Sequence, residues 1–527
     1  MKTLKCLFYA VAAVSIMLSC GGSGSEETVK AAAPVLQSTV PADGAVDVAL
    51  NTSEIVLTYD QNIKVLTADL SKITLDGGAS VTKVNAYSKT LTLSISGLSY
   101  GTKYTLGIPA GVVSGYKENQ ESTVAVNLSF STVKEPEDPG TDERLSDVAW
   151  NLAAKLRLGW NMGNQMDATS GNMPSETAWG NPKCTQETFT NLKKAGFTSV
   201  RIPITWLEKI GAAPDYKIDE EWMTRVAEIV GYAETAGLYT IINTHHDECN
   251  NDGRWLDLLK ASRDAEFNAT TKAKIKAVWT QIANRFKDKG DWLIMESFNE
   301  LQDGGWGWSK DFLANPKLQC NILNEWNQVF VDAVRATGGN NATRWLGVPS
   351  YAANPNFTDY MVLPTDSAGK IMVAVHFYDP SDYTIGDAQY SDWGHTGVAG
   401  KKASGSDEDH VQSTFRKLMR NYVNKGIPVY LGEYGCSMRN SSDARSWAFY
   451  KYYLEYVVKA AKTYGMPAFL WDNGASGYGK ERHGYINHGT GDYMGSSKEV
   501  VDIMVNAMNN ESGSYTLETV YNKAPKF

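Results

Sequence analysis

The chain of 527 residues has little of several features that would assign it to a class of protein. Its 50 Lys and Arg against 59 Asp and Glu give a net charge of −9, so it lacks the positive field that attracts nucleic acid. After residue 18 it has no apolar run long enough to cross a bilayer. Cysteine is scarce, and the spacing of the four that follow residue 20 does not decide whether any pair is oxidised: Cys184, Cys249, Cys320 and Cys436.

What the sequence does contain is length and aromatic side chains. A chain of 527 residues exceeds the size at which one core keeps growing, so two or more folded units are expected. Aromatic residues make up 11%, with 15 Trp and 27 Tyr, which is more than a core alone usually requires. Such side chains are suited to stacking on flat, uncharged ligands.

The first twenty residues have the pattern of a bacterial export signal. Two lysines precede an apolar run from Cys6 to Leu18, which is about as long as a signal-peptide core and too short for a spanning helix. Cys20 follows where a lipoprotein signal presents its acylated cysteine. We therefore expect a lipoprotein signal peptide over residues 1–19, a tether over 20–33, and a lipid on Cys20 that holds the exported protein at the cell surface or outer membrane. Cleavage nearby without a lipid is the alternative.

Residues 34–133 have a β-rich pattern interrupted by turn residues. About seven short strands with partial apolar alternation predict a small all-β sandwich. Three segments resemble the bacterial immunoglobulin-like domains that precede surface enzymes: Pro41–Ala45, Thr58–Ile63 and Leu98–Tyr104. That resemblance implies a spacer more readily than a catalyst.

Residues 134–144 are rich in acids and proline, which predicts an extended linker, and the pattern changes after it. Over residues 145–527 strand-like runs alternate with amphipathic helical runs, which is typical of an α/β fold, a (β/α)8 TIM barrel. The predicted strands are Leu156–Asn161, Ser199–Thr205, Tyr239–His245, Leu293–Glu300, Arg344–Ser350, Ile371–Asp379, Ile427–Tyr434 and Pro467–Asn473. The predicted helices include Gln186–Ala195, Glu220–Ala236, Ala273–Lys287, Asn321–Ala336, Asp409–Asn424 and Ala444–Thr463.

Polar side chains end nearly every predicted strand, and in such barrels the active site collects at the carboxyl ends of the strands. Glu300 ends the fourth strand and Glu433 lies near the end of the seventh, among Asn, His, Tyr and Trp at the other strand ends. Two carboxylates in such surroundings can split a glycosidic bond, because one acid protonates the leaving oxygen while the other attacks the anomeric carbon.

Seven short segments of the barrel sequence together match a known pattern: Gly159–Asn164, Glu176–Pro182, Val200–Trp206, Glu296–Glu300, His376–Tyr378, Leu431–Gly435 and Leu470–Asn473. With them the chain resembles glycoside hydrolase family 5, and within it the subfamily 4 endo-β-glucanases.

The resemblance implies a role for each residue at the strand ends. Glu300 is expected to be the acid/base, with a raised pKa, and Glu433 the ionised nucleophile, held by Arg201 and Tyr378. A double-displacement mechanism would place their carboxylates about 5–5.5 Å apart. Asn299 is expected to bond the sugar 2-hydroxyl.

Further residues are expected to bind or support the substrate. Trp471 is expected to be the stacking floor beneath the sugar, and Trp306 and Trp308 to face the cleft. The other predicted binding or supporting residues are Asn161, His245, His246 and His376, of which the histidines would bond the substrate or Glu300.

The resemblance implies hydrolysis of a soluble plant cell-wall polysaccharide, xyloglucan or mixed-linkage β-glucan or both, by a monomeric enzyme without a cofactor. Because His245 to Glu248 lacks the spacing of a metal motif, no metal is expected there. An endo-mannanase or endo-xylanase with the same mechanism remains an alternative, since specificity lies in loop contacts. A polysaccharide-binding protein that has lost catalysis is a second alternative.

Overall fold

The computed structural model describes residues 31–50, 52–66, 72–99, 101–117, 123–133, 142–248, 254–387, 389–403 and 405–527. The predicted signal peptide, Cys20, most of the predicted tether and linker, and Cys249 lie outside the described residues. The chain divides into two compact units, one ending at Thr132 and the other beginning at Val133.

The first unit is built of antiparallel and parallel strands around its own apolar core, which confirms the all-β sandwich. Its strands are β1 (Leu36–Val40), β2 (Ala45–Val48), β3 (Glu54–Tyr59), β4 (Ile63–Val65), β5 (Thr74–Leu75), β6 (Ser80–Tyr87), β7 (Thr90–Ser96), β8 (Lys103–Ile108), β9 (Val113–Gly115) and β10 (Val126–Thr132). One sheet has the order β1-β3-β7-β6, a second has the order β2-β10-β8-β5, and β4 pairs with β9. Alternate residues of β3 and β7 are buried, as expected for strands with one face toward a core.

The second unit is a closed barrel of eight parallel strands, which confirms the predicted TIM barrel. Its strands, with a small hairpin of β12 and β13, are β11 (Leu158–Met162), β12 (Thr169–Ser170), β13 (Met173–Pro174), β14 (Ser199–Ile202), β15 (Tyr239–Ile242), β16 (Leu293–Glu296), β17 (Leu346–Pro349), β18 (Ile371–Phe377), β19 (Val429–Tyr434) and β20 (Ala468–Asp472). Strand β20 closes the barrel by pairing in parallel with β11, so that Asn161 lies beside Trp471.

Helices alternate with the barrel strands along most of this unit. They are α1 (Val148–Leu156), α2 (Gln186–Lys194), α3 (Glu220–Thr235), α4 (Leu258–Ala261), α5 (Ala265–Arg285), α6 (Lys310–Ala314), α7 (Pro316–Ala336), α8 (Ser381–Thr384), α9 (Glu408–Asn421), α10 (Ala444–Thr463), α11 (Ser497–Asn509) and α12 (Leu517–Tyr521). Short 3-10 turns cover Leu207–Lys209, Gly339–Ala342, Tyr351–Ala353, Pro355–Tyr360 and Val423–Lys425.

Local capping explains where several helices begin. Asp219 accepts a hydrogen bond from the Trp222 backbone and starts α3, as predicted. The prediction for α5 was wrong by eight residues, because Asp264 caps it at the Phe267 backbone well before the predicted start.

The end of the predicted linker is attached to the barrel unit. The Asp142 carboxylate accepts from Arg420 Nε at 2.8 Å and also binds Arg416, on α9. Arg144 pairs with Asp147 at 2.8 Å, just before α1. Residues 142–144 are all exposed, so these ion pairs lie in contact with solvent, and the linker over residues 134–144 stays a prediction.

Two further findings concern cysteine and membranes. Cys184, Cys320 and Cys436 are buried free thiols, so none of these three is oxidised to a disulfide.

In the described part of the chain, every helix is too short or too polar to cross a membrane.

Candidate active site

The two carboxylates singled out in the sequence lie together at the carboxyl ends of the barrel strands. The register between β18 and β19 shifts after Val375 and then places His376 beside Glu433. Glu300 lies four residues beyond the end of β16 and binds His376 Nδ1 through Oε1 at 2.6 Å. Glu300 and Glu433 each place a carboxylate oxygen within 4.8 Å of the other. This upper limit on the distance between the nearest oxygens excludes a wide gap between the two acids.

Arg201, fully buried on β14, binds several of the predicted site residues at once. It donates through Nη1 to Glu433 Oε1 at 2.8 Å and to Asn161 Oδ1 at 3.0 Å, and through Nη2 to Asn299 Oδ1 at 2.8 Å. Because Asn299 accepts through its oxygen, its Nδ2 group is the one that can donate to a bound sugar. Asn161 is completely buried and also donates to the Gly432 carbonyl, so it positions Arg201 and does not reach substrate.

Glu296 is a second partner of Arg201 that sequence reasoning did not single out. Its Oε1 accepts from Arg201 Nη2 at 2.7 Å, and its Oε2 accepts from the Tyr430 hydroxyl at 2.6 Å. A side chain at Gly347 would collide with that hydroxyl, since a Cβ there would lie 2.2 Å from it. The signal was present in the sequence, because Glu296 opens the same motif that ends in Glu300.

The environment of Glu300 keeps this group protonated at neutral pH. Burial, followed by the negative charge of Glu248, raises the pKa of Glu300 to about 8. Its neighbour His376 is neutral, because burial lowers the pKa of that imidazole to about 4. These are the properties of a general acid.

Glu433 lies in a more polar environment. Tyr378 donates its hydroxyl proton to Glu433 Oε2 at 3.0 Å, while Arg201 binds the other oxygen. Burial raises the pKa of Glu433 above its ordinary value, and the positive charge of Arg201 opposes that effect. Glu300 is therefore bound by a neutral imidazole, whereas Glu433 is held by the guanidinium of Arg201 and the phenol of Tyr378.

The two histidines after β15 have protein partners other than Glu300, and that they bind the substrate stays a prediction. His245 Nδ1 lies 3.2 Å from Asn243 Nδ2, and its ring is parallel to that of Trp471 within 5° at 6.0 Å. His246 binds Glu248 Oε1 at 3.2 Å. Burial alone would lower the pKa of His246, but its hydrogen bond and charge interaction with Glu248 raise it to about 9. The hydrogen bond to Glu300 that was considered for these histidines is made by His376.

Two groups of side chains have the composition of a metal site: Asp167 with His245 and His246, and Glu300 with His376 and Glu433. Their ligand atoms already bind protein. The Asp167 oxygens accept the backbone N–H groups of Asn164 and Gln165, and His246 is bound to Glu248. Hydrogen bonding explains both groups, and the absence of a metal stays a prediction.

The predicted aromatic platforms differ in exposure. Trp471 is half-buried beside His245, whereas Trp306 and Trp308 expose 51% and 58% of their surface. Trp306 has a left-handed backbone conformation, with φ of 53°, and its backbone N–H donates to Gln302 Oε1 at 3.0 Å. Such a conformation is costly for Trp and is held here by the loop. That these two residues face the cleft stays a prediction.

Comparison with known proteins finds a matching family model for each of the two units. The family model described as Cellulase (glycosyl hydrolase family 5) matches residues 163–477, and the model described as Bacterial Ig-like domain matches residues 30–132. Endoglucanase A of Paenibacillus barcinonensis is 36% identical over 354 residues, which are 64% of this chain and 84% of that protein.

Two solved structures extend the likeness. A broad-specificity GH5-4 endoglucanase from Bacteroides salanitronis is 50% identical, with a TM-score of 0.67 over 71% of this chain and 99% of that one. A family 5 xyloglucanase from Paenibacillus pabuli is 35% identical, with a TM-score of 0.62 over 68% of this chain and 100% of that one.

Proposed function

The chain belongs to glycosyl hydrolase family 5, and from this premise we propose that it is an endo-acting β-1,4-glucanase that retains the anomeric configuration. The observation that carries the mechanism is the approach of the Glu300 and Glu433 carboxylates within 4.8 Å. Retaining glycosidases place their two carboxyls about 5–5.5 Å apart, whereas inverting enzymes need about 6.5–9.5 Å to admit a water between them.

In the first step Glu433 attacks the anomeric carbon while Glu300 gives its proton to the leaving glycosidic oxygen. The bond from the anomeric carbon to that oxygen breaks as the bond to Glu433 forms. Arg201 and Tyr378 hold the Glu433 oxygens in place for this attack. In the second step Glu300, now ionised, takes a proton from water, and that water displaces Glu433 with the β configuration restored.

The pH dependence of the wild-type enzyme should report both carboxyls. Because Glu300 must be protonated and has a pKa of about 8, kcat/KM should fall as pH rises through that value. Because Glu433 must be ionised and has a raised pKa, the acid limb should lie above the ordinary value for glutamate. The measurement is a pH–rate profile on a soluble β-glucan.

A matched substrate controls this profile. An aryl β-cellobioside with a nitrophenolate leaving group departs without a proton, so its alkaline limb for the glycosylation step should weaken or disappear. An alkaline limb of the same depth and position on both substrates would count against Glu300 as the acid.

We propose soluble xyloglucan and mixed-linkage β-glucan as the substrates. The support is the likeness to a xyloglucanase and to an endoglucanase of broad specificity, together with the exposed Trp306 and Trp308 on the loop after Glu300. Aromatic stacking binds a glucan backbone without crowding the branch points, which suits a decorated chain. The mannanase and xylanase alternatives share the catalytic residues and differ only in such contacts.

A panel of polysaccharides tests this choice. We expect kcat/KM for xyloglucan to equal or exceed that for mixed-linkage glucan, and both to exceed mannan by more than about tenfold, or roughly 1.4 kcal/mol in transition-state binding. Carboxymethyl cellulose and xylan complete the panel. A ranking headed by mannan or xylan would contradict the substrate proposal and leave the catalytic pair intact.

We also propose that the protein is exported and held at the cell surface by a lipid on Cys20, which rests on the sequence pattern around residues 1–20. In a bacterial host that processes lipoproteins, Cys20→Ala should move activity from the membrane fraction to the soluble fraction, because acyl chains supply the membrane affinity. Cys184→Ala, at a buried free thiol, is the control that should keep the enzyme with the membrane. Equal fractionation of both variants would refute the anchor.

A further inference from the structure

The loop that follows Glu300 exposes two large aromatic side chains close together. In this stretch, residues 302–309, which we call the tryptophan loop, Trp306 and Trp308 are more than half exposed, whereas Gly307 between them is buried. A single exposed apolar side chain is ordinary, but neighbouring ones of this size are typical of an interaction site. Because the loop leaves the carboxyl end of β16, it lies at the face of the barrel that holds the catalytic carboxylates.

Asp303 connects the start of the tryptophan loop to its end and to two buried residues. Its Oδ1 accepts from the Gly305 backbone N–H at 3.1 Å, and its Oδ2 accepts from the Ser309 hydroxyl at 2.5 Å. The same Oδ2 accepts from Gln319 Nε2 on α7 at 2.7 Å, and the Asp303 backbone N–H donates to the Tyr351 hydroxyl at 3.1 Å. Gln319 and Tyr351 are almost completely buried, so this one carboxylate attaches the loop to the interior of the barrel unit.

The backbone of the tryptophan loop is fixed in a shape that two of its residues adopt only under constraint. Trp306 has a left-handed conformation, which a bulky residue keeps only where surrounding contacts hold it. Gly307 also has a positive φ, of 88°, and a Cβ there would lie 2.3 Å from Phe357 Cζ. The Trp308 backbone N–H donates to the Gly305 carbonyl at 2.7 Å. The loop therefore presents its two tryptophans on a preorganised backbone, which lowers the entropic cost of binding a ligand.

The position of the tryptophan loop on the barrel indicates which part of the substrate it meets. In the closed barrel β16 lies four strands from β20 in either direction, so the loop after β16 lies across the barrel from Trp471 on β20. Trp471 is the predicted floor beneath the sugar that Glu433 attacks, and Glu300 protonates the oxygen that joins this sugar to the next one. A glucan chain that continues past Glu300 therefore runs away from Trp471 and toward the tryptophan loop.

We propose that Trp306 and Trp308 form a binding platform for the sugars of the leaving group, and that Asp303 is the positioning residue that holds this platform in place. The inference rests on the proposed function and adds to it the side of the cleaved bond that these residues serve. Aromatic faces stack on the flat faces of sugar rings and leave the branch points free, so the platform should accept decorated and undecorated glucans alike.

A pair of substrates tests the platform. Mixed-linkage β-glucan has sugars beyond the bond that is cleaved, whereas an aryl β-cellobioside has none, and kcat/KM reports the first chemical step on both. The double variant Trp306→Ala/Trp308→Ala should lower kcat/KM on the glucan by about tenfold and leave that on the aryl substrate unchanged. Asp303→Asn should act in the same direction by about threefold, because Ser309 or Gly305 would lose its acceptor. Tyr87→Ala, at an exposed aromatic of the first unit, is the control that should change neither rate.

Transfer to an added sugar gives a second readout that a merely structural role would not change. With the aryl β-cellobioside as donor, cellobiose can replace water in the second step: its hydroxyl oxygen attacks the anomeric carbon, its proton passes to Glu300, and the bond to Glu433 breaks. We expect the ratio of transfer to hydrolysis to fall by about tenfold in the double variant, because the acceptor would occupy the same platform. Methanol, which is too small to need the platform, should give the same ratio with the wild type and the variant.

The outcomes separate this inference from the proposed function. Equal losses on the glucan and on the aryl substrate, or an unchanged ratio of transfer to cellobiose, would overturn the platform while the wild type still acts as a glucanase. A wild type that cleaved neither substrate would refute the proposed function, and the inference with it. The wild-type ratios of transfer to cellobiose and to methanol need no substitution, and a ratio for cellobiose no higher than that for methanol at equal concentration would also overturn the platform.

Discussion

Replacing Glu433 by alanine is expected to lower kcat for β-glucan hydrolysis by at least about 10⁴-fold, because the variant lacks the group that attacks the anomeric carbon. Glu300→Ala should lose about 10²- to 10⁴-fold on polysaccharide but retain the first step on aryl glycosides with good leaving groups, since these depart without a proton. Initial rates on a soluble glucan and on an aryl β-cellobioside measure both effects.

Added azide separates the two roles. In Glu433→Ala it should replace the carboxylate as nucleophile and give an α-glycosyl azide, whereas in Glu300→Ala it should intercept the glycosyl-enzyme and give the β product. Glu221→Ala, at an exposed position in the first turn of α3, is the control that should keep wild-type rates. The same azide product from both variants would contradict the assignment of nucleophile and acid.

The second large effect is expected at Glu296, which accepts hydrogen bonds from Arg201, Asn243 and Tyr430. Glutamine in its place keeps one acceptor oxygen, so its NH₂ group would replace either the oxygen that accepts from Tyr430 or the one that accepts from Arg201 and Asn243. Half of the negative charge that compensates the buried Arg201 is also lost. We expect Glu296→Gln to lower the free energy of unfolding by about 3–5 kcal/mol, the cost of breaking a buried ion pair from one side.

Chemical unfolding of the variant measures this loss. Tyr430→Phe is the matched control, because it removes one hydrogen bond to Glu296 and leaves the charges in place. Its expected cost is about 2 kcal/mol, typical of a hydrogen bond to a charged group. If Glu296→Gln proved no more destabilising than Tyr430→Phe, the ion pair with Arg201 would not be the main contribution of this residue.

The pairing of Glu296 with Arg201 shows why part of the site was beyond sequence reasoning. Both residues stood in segments that carried the family resemblance, yet only Glu433 was expected as the partner of Arg201. The three residues are brought together by closure of the barrel, over separations of 95 and 232 positions along the chain. Motifs mark which residues matter, but they do not say which of several buried acids a guanidinium will bind.

The histidines are a second example of contacts that sequence reasoning could not assign. That a histidine binds Glu300 was expected, and the structure shows that it is His376, which lies at the register shift between β18 and β19. His246 instead binds Glu248, two residues further along its own loop. Such choices depend on the direction of each side chain, which residue type does not specify.

The amino-acid sequence by itself determined the β-rich first unit, the eight strands of the barrel and the two carboxylates at their ends, because alternation, apolar runs and short motifs are local properties that each segment carries alone. Only the tertiary structure decided the partners of Arg201 and the two environments that separate Glu300 from Glu433. The physical reason is that a pKa and an ion pair depend on burial and on distances between residues far apart in the chain, and the closed barrel sets both.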